Sequence, residues 1–224
     1  MEDAKDITLI YIPGDGYDES TAAPFINFLN QHGVKVIFIP LQEEDENCTY
    51  EQLRADAYCD YIDRYVPKAT PNLYGYGISK GCHHLRVYAA KRPGKLKKII
   101  LVEETTMNPE LMMQYEHSRG NDYIEEFYEN PNDISGLNAT DKALDVLVSD
   151  HTKYCPRNIP IKIVWTSRNN MNEPYSQDVL DLKKRYESYL KRNGCRIQVF
   201  HLNTDHCVDT HPEFFPKLLS IITG

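Results

Sequence analysis

The chain has 224 residues, a formal net charge of −8 at pH 7 and a hydrophobic fraction of 41%. That is enough apolar material for one sizeable core, so one domain with room for an insertion is expected. The acidic balance excludes nucleic acid as a main partner. No apolar run approaches the length that spans a membrane, and the polar opening Met1-Glu2-Asp3-Ala4-Lys5-Asp6 does not read as a secretory leader. Six cysteines lie scattered without a C-x-x-C pair, which reads as reduced thiols in a cytoplasmic protein.

Asp6 to Ile12 is a β-rich apolar run that reads as a buried strand and breaks at the turn Pro13-Gly14-Asp15-Gly16. A helical pattern follows from Thr21 to Gln31, with Phe25, Phe28 and Leu29 on one face and Gly33 as its stop. Val34 to Ile39 is a second strand, and Tyr50 to Tyr65 a second helix. Leu73 to Tyr76 is a third strand, followed by Gly77-Ile78-Ser79-Lys80-Gly81 and a helix from Cys82 to Lys91. Lys98 to Val102 is a fourth strand. The stretch 107–157 then breaks the alternation: it shows no clear strand and holds ten acidic against four basic residues among methionines and aromatics. Strand Ile161–Trp165, helix Gln177–Lys191, strand Arg196–Leu202 and helix Pro212–Ile222 complete the chain.

Strands spaced by helices predict an α/β fold: a mainly parallel central sheet with helices on both faces. The expected parts are a core of residues 1–106 and 158–224, with a helical cap formed by 107–157 inserted before the penultimate strand. Sites in such sheets lie beyond the carboxyl ends of the strands. The loops of interest therefore begin at Pro13, Gly77, Glu103, Thr166 and Asn203.

The G-x-S-x-G pattern around Ser79 is what a strand-to-helix turn needs to project a nucleophile, because side chains two residues either side would collide. Ser79 is the candidate nucleophile. His206, in Asn203-Thr204-Asp205-His206-Cys207 after the last strand, is the candidate base. The other histidines are worse placed: His32 falls on the opposite rim, His83 and His84 lie behind the serine, and His117 and His151 fall in the insertion. Backbone amides of Asp15 and Lys80 are the candidate oxyanion donors. The Asp15 carboxylate must then point away or find a partner. Asp205, His206, Asp209 and His211 also have metal-ligand chemistry. With no second cluster and no H-E-x-x-H helix, neither a metal nor a cofactor is expected.

The Gly77–Gly81 elbow, the Pro13–Gly16 turn and Asp205-His206-Cys207 before the last helix together resemble the α/β-hydrolase fold family, over nearly the whole chain. The resemblance implies hydrolysis of an ester or thioester through an acyl-serine, with 107–157 where that family often carries a lid. One departure stands out. The family's acid usually follows the strand ending here at Trp165, and this loop, T-S-R-N-N-M-N-E-P-Y, has no aspartate. Glu103 at the end of the fourth strand is the first candidate to orient His206. Asn170, acting through its amide oxygen, and Glu173 are the alternatives. Adjacent Glu103 and Glu104 at the end of a buried strand either are paired or reach solvent.

The expected activity is that of a serine hydrolase on a small-molecule acyl substrate, neutral or cationic given the acidic insertion. A hydrolase-like binding or scaffold protein without turnover, and an acyltransferase on the same scaffold, are the other readings. Oligomeric state is not legible.

Overall fold

A computed structural model of the chain describes residues 7–42, 48–104, 154–169 and 171–224. Its strands are β1 (Ile7–Ile12), β2 (Lys35–Phe38), β3 (Asn72–Ile78), β4 (Lys98–Val102), β5 (Pro160–Thr166) and β6 (Arg196–Leu202). Its α-helices among the described residues are α1 (Glu19–Gln31), α2 (Tyr50–Leu53), α3 (Ala55–Tyr65), α4 (Lys80–Lys91), α5 (Gln177–Arg192) and α6 (Phe215–Thr223). The strands form one sheet in the order β2-β1-β3-β4-β5-β6, every neighbouring pair parallel. Chain order reverses direction between β1 and β3. Their connections leave in opposite directions at the strand ends that carry Pro13 and Ser79, the place where open α/β sheets bind ligands.

Alternation along the strands builds two cores. Ile10 and Ile12 of β1, Ile99 and Leu101 of β4, and Ile161, Ile163 and Trp165 of β5 face α3, α4 and α5. Leu9, Tyr11, Tyr74, Tyr76, Ile100, Val102 and Val164 face α1 and α6, where Phe25, Leu29, Phe215 and Leu218 meet them. Fully burying one such side chain contributes roughly 1.5–3 kcal/mol. On the first face β3 presents Gly75 and Gly77. A Cβ on Gly77 would lie 2.7 Å from the Cys82 amide nitrogen, and one on Gly75 would strike the Leu85 side chain. The missing side chains let α4 lie directly on β3, so the turn between them is sharp.

Several expected elements differ in extent, most by one to three residues at an end. The helix after the serine starts at Lys80 rather than Cys82, immediately beyond the elbow. The helix expected over Tyr50–Tyr65 is two helices, because Arg54 adopts an extended conformation (ψ 146°) between them. The last helix begins with a 3₁₀ turn, Pro212–Phe214, before α6. The cap expected at 107–157 lies outside the described residues from 107 to 153.

Both glutamates at the end of β4 are fully buried and paired, which excludes the solvent-facing reading. Glu104 accepts from Arg86 Nε of α4 at 2.9 Å and from the Tyr186 hydroxyl of α5. Arg86, also fully buried, donates in addition to the Tyr154 carbonyl. One guanidinium thus holds the chain on both sides of residues 105–153. No helix among the described residues is long and apolar enough to cross a membrane.

Gly77→Ala tests the close packing of β3 and α4. The atoms it would meet are all backbone and cannot rotate away. The variant is expected to lose at least about 2 kcal/mol of stability in urea unfolding; an unchanged midpoint would contradict the contact.

Candidate active site

Ser79 closes β3 with φ 51° and ψ −121°, backbone angles that a residue with a side chain rarely adopts. Surrounding contacts hold it there. Its amide donates to the Val102 carbonyl at 2.8 Å and its carbonyl accepts from Cys82 at 3.1 Å. On its other side runs the turn from Gly14 to Tyr17, closed by the Tyr17 amide on the Gly14 carbonyl at 3.2 Å. A Cβ on Gly14 would sit 3.0 Å from Ser79 Cβ and 3.7 Å from its Oγ, so the bare backbone of this turn lies against the serine. A Cβ on Gly81 would collide with the Ile12 and Pro13 carbonyls, which brings the first turn of α4 equally close. The Asp15 carboxylate is ion-paired with the Lys80 ammonium. The partner that the sequence reading required for it is the side chain of the other candidate donor.

Glu103 follows β4 as Ser79 follows β3, one residue beyond the paired Ile78 and Val102. It too has φ 51°. Its carboxylate accepts from the Thr166 amide, from the Tyr175 hydroxyl at 2.9 Å, and from Lys183 Nζ at 2.9 and 2.8 Å on its two oxygens. Lys183 also lies 3.7 Å from the Tyr175 ring centroid. Burial pulls the Lys183 ammonium below its ordinary pKa, and the Glu103 charge opposes that shift. His206 Nδ1 lies 3.9 Å from Glu103 Oε2, with the imidazole side chain 15% exposed.

Of the alternative partners for His206, Glu173 lies among the described residues. Glu173 is exposed and bonded to Asn169, whose Nδ2 donates to its carboxylate at 3.3 Å and whose Oδ1 accepts from its amide at 2.9 Å. Asn170 lies outside the described residues. His83 and His84 are buried in α4, with His84 stacked on Tyr58 at 3.7 Å.

The loop that carries His206 is fastened to β1 and its turn. Burial, and after it the neighbouring Cys207 thiol, push the Tyr17 hydroxyl up from its ordinary pKa. Beneath it Asp209, buried, accepts from Tyr11 at 2.7 Å and Tyr76 at 3.2 Å, while His211 Nε2 pairs with both Asp205 oxygens at 2.9 and 3.0 Å. Asp205 and His211 satisfy each other and Asp209 is turned to the tyrosines. No set of three or more ligating groups for a metal occurs among the described residues.

No protein-family model matches the sequence, and no curated protein matches it. Solved structures do. Polyneuridine aldehyde esterase superposes with a TM-score of 0.65 at 12% identity, over 98% of this chain and 100% of that one. MGS-MChE2, an α/β hydrolase enzyme from the metagenome of lagoon sediments at Mar Chica, Morocco, gives 0.63 at 17%, covering 96% and 89%. A thioesterase domain from the curacin biosynthetic pathway gives 0.57 at 15%, covering 99% and 92%. The chain has the α/β-hydrolase fold.

Within this α/β-hydrolase fold, two polar side chains at the strand ends went unread in the sequence, and a third, Asp209, was read only as having metal-ligand chemistry. Lys183 and Tyr175 hold Glu103, and Asp209 holds the His206 loop. Lys183 had a visible signal: with Val179, Leu182, Tyr186 and Leu190 it falls on the buried stripe of α5. A lysine on an apolar stripe calls for a buried carboxylate.

Burial pushes the Asp209 carboxyl up from its ordinary value to about 6, and the hydrogen bonds from Tyr11 and Tyr76 only partly oppose this. The folded chain therefore holds this proton more tightly than the unfolded chain. The associated stability is full below about pH 4 and is lost as pH rises through about 6. The difference is worth on the order of 3 kcal/mol. Asp209→Asn keeps an acceptor for the tyrosines and removes the charge. Relative to wild type it is expected to gain about that much between pH 4 and pH 8 in denaturant titrations. Parallel stability–pH curves for the two proteins would contradict the assignment.

Proposed function

We propose that the protein is a serine hydrolase that cleaves a carboxylic ester or thioester through an acyl-serine. The observation that carries this is Ser79 itself, held at φ 51° in a glycine-flanked strand-to-helix turn with bare backbone against it. Strain of this kind persists only where surrounding structure enforces it, and a serine that merely caps a helix has no use for it. The fold shared with esterases and a thioesterase domain supports the same reading.

In this mechanism His206 takes the Ser79 proton on Nε2 while Nδ1–H is directed at Glu103. The serine oxygen bonds to the substrate carbonyl carbon, and the oxyanion accepts from the Asp15 and Lys80 amides. Collapse expels the alcohol or thiol, which takes the proton from His206. Water then attacks the acyl-serine, giving its proton to His206, and the acid leaves as Ser79 recovers its own. The Asp15–Lys80 ion pair offsets the negative charge nearest the oxyanion. The residues 107–157 act as a lid over a neutral or cationic acyl substrate.

One observation favours a second reading, a binding protein of the same fold without turnover. Glu103 is already neutralised by Lys183, and its contact with His206 is 3.9 Å, longer than a hydrogen bond. An acyl chain-length series of p-nitrophenyl esters and a fluorophosphonate probe separate the two. The hydrolase reading expects a covalent adduct on Ser79 and turnover that falls at least about 10³-fold in Ser79→Ala and in His206→Ala. Tight ester binding with neither adduct nor turnover would establish the second reading.

Assignment of the orienting acid gives a further expectation. Glu103→Gln paired with Lys183→Met leaves no buried charge without its partner, and it is expected to lower kcat by about 10²-fold or more. Glu173→Gln is expected to stay within about twofold, as for an exposed side chain away from the site. Equal losses in both would shift the role away from Glu103.

A further inference from the structure

Glu103 meets more donors than a carboxylate has places for. An ionised carboxylate offers about four lone-pair positions, two on each oxygen. The Thr166 amide and Lys183 Nζ, the latter at 2.9 Å, fill those of Oε1. Lys183 Nζ at 2.8 Å and the Tyr175 hydroxyl at 2.9 Å fill those of Oε2. His206 Nδ1 approaches the same Oε2 and stops at 3.9 Å, beyond hydrogen-bond reach.

The donors already in place are not equally replaceable. Lys183 balances a fully buried charge and its own side chain is only 5% exposed, so withdrawing it would strand two ions. Thr166 donates a backbone amide fixed at the end of β5. The Tyr175 hydroxyl is neutral, belongs to a half-buried side chain and follows four exposed residues, 171–174. Solvent can therefore take over its bond. The two competitors for Oε2 also sit on loops tied to each other. The Tyr175 amide donates to the Ser167 carbonyl at 3.2 Å, and the Ser167 and Arg168 amides both donate at 3.1 Å to the carbonyl of Thr204, two residues before His206.

We propose that Tyr175 is a positioning residue that controls when Glu103 reaches His206: its hydroxyl holds the Oε2 position in the resting protein and yields it when His206 becomes charged. This rests on the hydrolase reading of Ser79 and His206. A base must rest neutral, and its Nδ1–H then competes with the phenol as one neutral donor with another. Once His206 has taken the Ser79 proton, its imidazolium Nδ1–H makes a charge-assisted bond about twice as strong as a neutral one, and the exchange becomes favourable. No covalent bond changes in the exchange. The phenol keeps its proton and turns to solvent, while the imidazolium moves by about 1 Å to reach charge-assisted bonding distance.

Tyr175→Phe keeps the ring that Lys183 Nζ faces at 3.7 Å and removes only the hydroxyl. Two measurements on the full-length protein test the proposal. In the unmodified variant, proton NMR is expected to show the His206 Nδ1 proton far downfield of the amides, a resonance that unmodified wild type lacks and that His206→Ala abolishes in the variant. The rate constant for labelling of Ser79 by the fluorophosphonate probe, and kcat on p-nitrophenyl esters, are expected to rise. The gain is the factor by which the hydroxyl outcompetes the neutral imidazole at rest, roughly three- to tenfold for a difference of about one neutral hydrogen bond, with KM within about twofold. The proposal is overturned if the resonance is the same in both unmodified proteins, whether present or absent. It is also overturned if both proteins are labelled and the variant no faster. If neither protein takes the probe while the resonance appears only in the variant, the hydrolase reading fails and the competition for Glu103 stands.

Discussion

Glu103 is a fully buried carboxylate on a residue with φ 51°, and each of these conditions is costly alone. Lys183, Tyr175 and the Thr166 amide surround it with donors. Much of the rim beyond the sheet follows from this one group. It draws Lys183 of α5 inward between Tyr175 and Trp165. It ties the start of the loop after β5, through Thr166, to the end of β4. It also presents its second oxygen toward His206. Removing Lys183 alone would leave an unpaired buried anion, typically worth about 3–5 kcal/mol of lost stability.

Glu104 repeats the device on the helix side. Its partner Arg86 comes from α4, the helix that starts immediately after Ser79. The two glutamates therefore divide the work. Glu103 joins β4 to β5 and α5 around the candidate site, while Glu104 joins the entry of residues 105–153 to their exit at Tyr154. Residues 104 and 154 are thereby held by one guanidinium.

The sheet was readable because its central strands are apolar runs and its edge strand alternates apolar with polar residues. Lys98–Val102, buried throughout, and the half-exposed Arg196–Leu202 coincide with β4 and β6. The break at Arg54 was not readable, since no glycine or proline marks it and only the backbone turns. The glycine spacing around Ser79 was a strong signal because each glycine meets backbone: Gly77 the amide of Cys82, Gly81 the carbonyls of β1 and its turn. Pairings across the sheet were harder. Lys183 lies eighty residues from Glu103, inside a helix whose charges suggest a solvated face, and only its place on the apolar stripe distinguishes it from Lys184. Asp209 was equally hidden, because its reason to be buried is two tyrosines on distant strands.

The central claim is that buried Glu103, although shared with Lys183, orients His206 for work on Ser79. It is tested most directly by the proton on His206 Nδ1, observed by NMR in the phosphonylated protein, where the imidazole is charged. The account predicts a resonance far downfield of the amides, absent from His206→Ala and lost in the Glu103→Gln/Lys183→Met pair. A downfield resonance that survives the removal of Glu103, or none at all in an enzyme that turns over esters, would contradict it.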